Sequence, residues 1–168
     1  MGGSWAGAPG GYAIASNQVD VNNGGNIFWA AAPFGSNQEV FVTLTTVDLS
    51  GVEIDLLLKS QNPNNTNNGA LEVWYNPLAH VVQVWSYTSA QDWVRQGADL
   101  PVTFVNGDVF GARATSDGKV SVYRNGTLVG TRDVKSWPLY TLGGYIGMWC
   151  DRASNSFFDN FGGGSVVP

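Results

Sequence analysis

Trp74, Trp85, Tyr87 and Trp93 are interleaved with Glu72, Gln83 and Arg95 inside one stretch, Ala70 to Arg95. Indoles and a phenol offer flat apolar faces; the carboxylate, amide and guanidinium between them offer hydrogen bonds. That combination suits a pyranose ring, which has an apolar C–H face and a rim of hydroxyls. Upstream, Glu53 and Asp55 are one residue apart. On a strand they point the same way, and they join the same set if their strand lies in the same sheet.

The elements that position these groups are strands, because the pattern sorts by parity. Leu71, Val73 and Tyr75 share one face and Glu72 and Trp74 the other, then a polar break at Asn76 and Pro77 turns the chain. Val82 and Val84 fit an apolar core, which sends Gln83, Trp85 and Tyr87 outward, with Trp93 and Arg95 following on a third strand. A solvated sheet face is normally Thr, Ser and Lys, so large aromatics among polar groups mark a binding surface. The competing expectation is a strand covered on both sides, burying its indoles between layers. On the neighbouring strand, Val52, Ile54, Leu56 and Leu58 are predicted core, leaving Glu53, Asp55 and Lys59 on the aromatic face.

A chain of 168 residues suits a single domain with a real core. Only 12% of its residues are charged, against about 25% in an average protein. Seven Trp, 22 Gly and Asn-rich segments such as 64–68 describe an extracellular or cell-surface all-β domain. A net charge of −5 with eight scattered basic residues leaves no stripe for phosphates, so nucleic acid is excluded as partner. No apolar run has membrane length. The one cysteine, Cys150, sits in Met148-Trp149-Cys150, which reads as a core strand, and the one histidine, His80, falls in a turn. Gly162-Gly163-Gly164-Ser165 and the opening Met1-Gly2-Gly3-Ser4 read as linker, so residues 1–168 are expected to be one monomeric module of a longer chain.

In order, edge strands are expected from Trp5 to Val21, anchored by Tyr12, Ile14, Val19 and Val21. Val40, Val42 and Leu44 alternate with Phe41, Thr43 and Thr45 in the cleanest strand. Leu100 to Val105 is read as a strand, and Asn125-Gly126 as a tight hairpin, since both positions tolerate positive φ. No segment keeps helical periodicity. A dozen or so strand candidates predict an all-β, two-sheet antiparallel β-sandwich.

The segment around Asp108 to Gly130, GDVFGARATSDGKVSVYRNGTLVG, resembles the strand–turn–strand unit of concanavalin A-like (laminin-G-like) jelly rolls. GGYIGMWCDRASNSFFDNFGGG is similar to their closing unit, with Asp159 between aromatics on the last strand. The resemblance covers about the last third of the chain and implies a jelly roll of the carbohydrate-binding-module type. It also implies a structural Ca²⁺, with Asp159 as the metal-binding carboxylate beside backbone carbonyls. The same fold serves lectins, glycosidases, lyases and adhesion modules.

Glu53-Ile54-Asp55-Leu56 resembles the opening of the family 16 glycoside hydrolase motif, in which a second Glu follows within a few residues. That chemistry needs two carboxyls flanking the sugar bond, about 5 Å apart. Leu57, or Leu58 if the strand bulges, stands where the acid belongs, and neither can donate a proton. The reading is therefore a non-catalytic polysaccharide- or glycan-binding module, with no catalytic residue assigned. The alternatives are a polysaccharide hydrolase or lyase using the same face, and a laminin-G-like protein-interaction or adhesion module.

Overall fold

The computed structural model describes residues 2–167. Its strands are β1 (Trp5–Gly7), β2 (Tyr12–Ala15), β3 (Gln18–Val21), β4 (Gly25–Trp29), β5 (Gln38–Thr46), β6 (Glu53–Ser60), β7 (Ala70–Asn76) and β8 (Val81–Thr88). They continue with β9 (Asp92–Arg95), β10 (Leu100–Pro101), β11 (Asp108–Ala114), β12 (Lys119–Arg124), β13 (Thr127–Asp133), β14 (Tyr145–Asp151) and β15 (Phe157–Ser165). The only helical element among the described residues is a 3-10 turn at Pro9–Gly11.

Two antiparallel sheets face each other. The first runs β1-β4-β14-β6-β7-β8-β10, with β9 also on β8; the second runs β13-β12-β11-β5-β15-β3-β2. Alternation along each strand makes the core: Ile54, Leu56, Leu58, Val73, Tyr75, Val82 and Val84 meet Val40, Val42, Leu44, Phe110, Val120 and Val122. On β6 to β8 these are the residues that parity assigned inward.

Tyr12 ties the sheets together. Its hydroxyl donates to the carbonyl of Gly25 at 2.5 Å and accepts the N–H of Cys150 at 3.1 Å, reaching from β2 in one sheet to β4 and β14 in the other. Burial pushes the phenol far above its ordinary range, so it stays a donor. Tyr12→Phe is expected to cost about 1–3 kcal/mol in urea denaturation, because two buried backbone groups lose a partner. An unchanged midpoint would show that the tie is not needed.

Four expectations are corrected. Ile14 is exposed rather than an anchor, because β2 is the sheet edge. Only Leu100–Pro101 of the expected 100–105 strand pairs. Beyond it Phe104 turns into the core against Tyr75 and Phe110, at ring-centroid separations of 4.8 and 4.9 Å. Gly162 to Ser165 is no linker: it is the end of β15, in register with Phe41 to Gln38 of β5. A Cβ at Gly162 would lie 2.6 Å from the Phe41 ring, which explains a glycine inside that strand.

The fourth is Lys59. Ser60 faces Tyr145 and Leu57 faces Gly147, so Leu58 and Lys59 together oppose one residue of β14. This bulge, with Lys59 at φ 50°, turns the side chain away from the aromatic face. Buried Gln38 holds the bulge by accepting the Lys59 N–H at 2.9 Å. The Lys59 ammonium donates to the carbonyls of Thr115 (3.3 Å) and Tyr140, and burial lowers its pKa to about 8.

Candidate functional site

The outer face of the first sheet is built in cross-strand rows. One row reads Trp149, Asp55, Trp74, Gln83 across β14, β6, β7 and β8. The next reads Gly147, Leu57, Glu72, Trp85, Arg95, ending on β9. A third pairs Ala70, Tyr87 and Trp93. Asp151 stands beside Glu53. Side chains directly opposite one another on one face are close enough to act together.

Trp93 and Trp149 have ring centroids 6.3 Å apart. Their strands are four spacings apart, about 19 Å in a flat sheet. The sheet therefore curls toward this face, and the two indoles reach toward each other over its floor. That roof explains why Leu57, Ala70, Asp55 and Glu72 are buried although they point away from the core between the sheets. The result is a trough of about 190 Å³ lined by Glu53, Glu72, Trp74, Trp85, Trp93 and Trp149.

Local bonds set the rings. Trp74 donates its indole N–H to the carbonyl of Val52 (2.8 Å), and Trp85 donates to the side-chain oxygen of Gln83 (2.9 Å). The two rings are tilted by 38° with centroids 6.3 Å apart. Tyr87 supports Trp93 from behind at 5.1 Å and does not line the trough. Arg95 is turned into an ion pair with Asp99, and Gln83 acts through Trp85. Of the nine residues expected on this surface, Glu53, Glu72, Trp74, Trp85 and Trp93 line the trough and Asp55 lies in its floor.

Trp149 belongs to the same surface and is new. Its strand alternates Ile146, Met148 and Cys150 inward with Gly147, Trp149 and Asp151 outward. The signal lies in that alternation, which puts Trp149 on the face opposite Met148 and Cys150.

The carboxyls are the unusual part. Asp55 is fully buried and neither of its oxygens has a hydrogen-bond donor among the described residues. Burial first, then the negative charges of Glu72 and Glu53, hold its pKa well above the ordinary carboxylate range. Burial pushes Glu72 up to about 8, with the Glu53 charge adding to it. The Asp55 and Glu72 carboxyls lie within hydrogen-bond reach, so their contact becomes a hydrogen bond only while the pair holds a proton. Glu53 is raised by partial burial and by Asp151, against the pull of Arg152.

Asp159 lies on β15 opposite Thr43, and its carboxylate accepts the N–H of Asn160 at 2.7 Å. No group of three or more His, Cys, Asp or Glu among the described residues is arranged to hold a metal. An ion at Asp159 would draw the rest of its six to eight oxygens from backbone carbonyls. A fall in melting temperature on chelation, abolished by Asp159→Ala, is the result that would place calcium there.

No protein-family model matches the chain, and no curated protein matches it by sequence. Solved structures do. The carbohydrate-binding module CBM66 from Bacillus subtilis superposes with a TM-score of 0.69 over 96% of both chains, at 16% identity. The fold is the concanavalin A-like jelly roll. A Bacillus subtilis protein of unknown function with a galectin-like fold gives 0.65 over 97% of this chain and 89% of its own, at 12% identity. Sheep galectin-11, in complex with glycerol, gives 0.53 over 79% and 92%, at 10% identity. At these identities the jelly roll shares its architecture with the three and not its side chains.

Proposed function

We propose that the chain is a carbohydrate-binding module of a secreted or cell-surface protein, and that its ligand lies in the indole trough. The observation that carries this reading is the convergence of Trp74, Trp85, Trp93 and Trp149 with Glu53 and Glu72 in a single open depression. Indole faces stack on the C–H face of a sugar, while the carboxyls receive its hydroxyl protons. The trough holds about one sugar ring, so neighbouring rings of a polymer would run along the sheet or out into solvent. Two of the three structural relatives described above are a carbohydrate-binding module and a galectin, which agrees with this use of the fold.

Hydrolysis is the second reading, favoured by one specific observation. Leu57 stands where the family 16 motif needs an acid, and its cross-strand partner is Glu72, a carboxyl still protonated near neutrality. Position weighs against it, because the acid would have to come from the neighbouring strand β7 and not from the β6 position that the motif uses. A glycan array read alongside reducing-end release on the same polysaccharides separates the possibilities. Binding without release is the expected result. Release would make the chain an enzyme, and silence in both would move the function to its loops and to a protein partner.

A further inference from the structure

Every ionisable side chain that lines or floors the trough is acidic. Glu53 and Asp55 come from β6 and Glu72 from β7, with Asp151 of β14 beside Glu53. Of the nearby cations, Arg95 is engaged with Asp99 and Lys59 with carbonyls between the sheets, while Arg152 pairs with Asp151 and offsets part of the charge beside Glu53. The second observation is independent of that sum. Asp55, fully buried beneath the trough, has two oxygens without a donor, and its carboxyl neighbour Glu72 is an acceptor as well when ionised. The floor thus lacks positive charge and N–H donors together, and its one O–H is the proton that the two carboxyls share.

The walls point the same way. Four indoles, from β7, β8, β9 and β14, surround this floor. The face of an indole carries negative potential and attracts a cation more strongly than any other side-chain ring. Acidic floor and indole walls are jointly unsuited to uronates or sulfated sugars, which would be repelled.

We propose that the trough selects glycans bearing a free amine, with the sugar ammonium held against Glu53 and Glu72 above Asp55. This rests on the carbohydrate reading given above and narrows its ligand. An ammonium brings three donors, and its bonds to carboxylates are charge-assisted, about twice as strong as neutral ones. It takes the place of the proton that the Asp55–Glu72 pair otherwise shares. A hydroxyl brings a donor but leaves the charge of Glu53 offset only by the exposed Arg152. An acetylated amine brings one N–H, no charge, and extra bulk in a depression the size of one ring.

The test uses three hexasaccharides with the same β-1,4-linked pyranose backbone and a different group at carbon 2: glucosamine, N-acetylglucosamine and glucose. Binding is measured by calorimetry at about pH 6.5, with choline as a cation that is not a sugar. The glucosamine hexamer is expected to bind at least about tenfold more tightly than the other two, with the advantage shrinking in about 0.5 M salt. Glu53→Gln should bring its affinity down toward that of the glucose hexamer, and Trp85→Ala should weaken binding of all three tenfold or more. Affinity for the glucosamine hexamer that is unchanged by Trp85→Ala would be attraction to the acidic surface at large and would overturn the inference. Equal or tighter binding of the glucose or acetylated hexamer overturns it too, while leaving the chain a carbohydrate-binding module. Choline binding without any hexamer binding makes the trough a cation site and not a sugar site. If no hexamer binds and a glycan array is also silent, the carbohydrate reading itself falls.

Discussion

Trp85→Ala is expected to weaken glycan binding tenfold to a hundredfold while leaving the protein folded. An indole stacked on a sugar removes mostly apolar area from water, about 1–3 kcal/mol for one platform. Trp85 stands on the outer face, half-buried, against Trp74 and bonded to Gln83. Truncating it uncovers part of the trough without opening a cavity between the sheets. Trp137 is the internal comparison. It is fully buried, donates its indole N–H to the carbonyl of Tyr87 at 2.9 Å, and belongs to the core. Trp137→Ala should cost about 3–5 kcal/mol of stability. Denaturation and affinity measured on both variants separate platform from core. A Trp85→Ala protein as destabilised as Trp137→Ala would remove the trough as a binding surface.

Glu72→Gln is expected to stabilise the protein above neutrality and to flatten its pH dependence. The ordinary value for this carboxyl is 4.5, and in the fold it is held near 8, chiefly by burial. Between those values the folded chain keeps a proton that the unfolded chain has released. Unfolding then sheds protons, and stability falls as pH rises through the window, with the whole penalty present above about 8. A shift of this size corresponds to a few kcal/mol, shared with Asp55 because the two titrate as a pair. The variant should therefore gain about 2–4 kcal/mol at pH 9 and almost nothing at pH 4. Urea denaturation at both pH values reads the difference, and equal stability of the parent at both would show that the pair carries no such strain.

The two predictions draw on different parts of the chain's legibility. Trp85 was placed by parity alone: a strand of period two must show one set of residues to the core, and Val82 and Val84 claimed it. The same rule placed Ile54, Leu56 and Leu58 inward and Glu53 and Asp55 outward, and it separated Val40, Val42 and Leu44 from Phe41. The Asn125-Gly126 hairpin was legible because Asn125 and Gly126 both adopt positive φ, at 52° and 76°. The Glu72 prediction needed more, since two carboxyls on different strands become a pair only through register.

Local pattern, then, determined that this chain is a sandwich, which residues of its central strands face the core, and that one face mixes indoles with carboxyls. Those properties follow from alternation and turn chemistry, which act over a few residues. The structure alone decided that β14 pairs with β6, about ninety residues away, and so brought Trp149 over Asp55. It alone put the bulge at Leu58 and Lys59, which sends Lys59 between the sheets, and recruited Gly162 to Ser165 into β15 under Phe41. Pairing partners, bulges and curvature are set by the closing of whole sheets on one another. The burial that raises Asp55 and Glu72 is a product of that closure, because it depends on an indole from the edge strand β9 meeting one from β14.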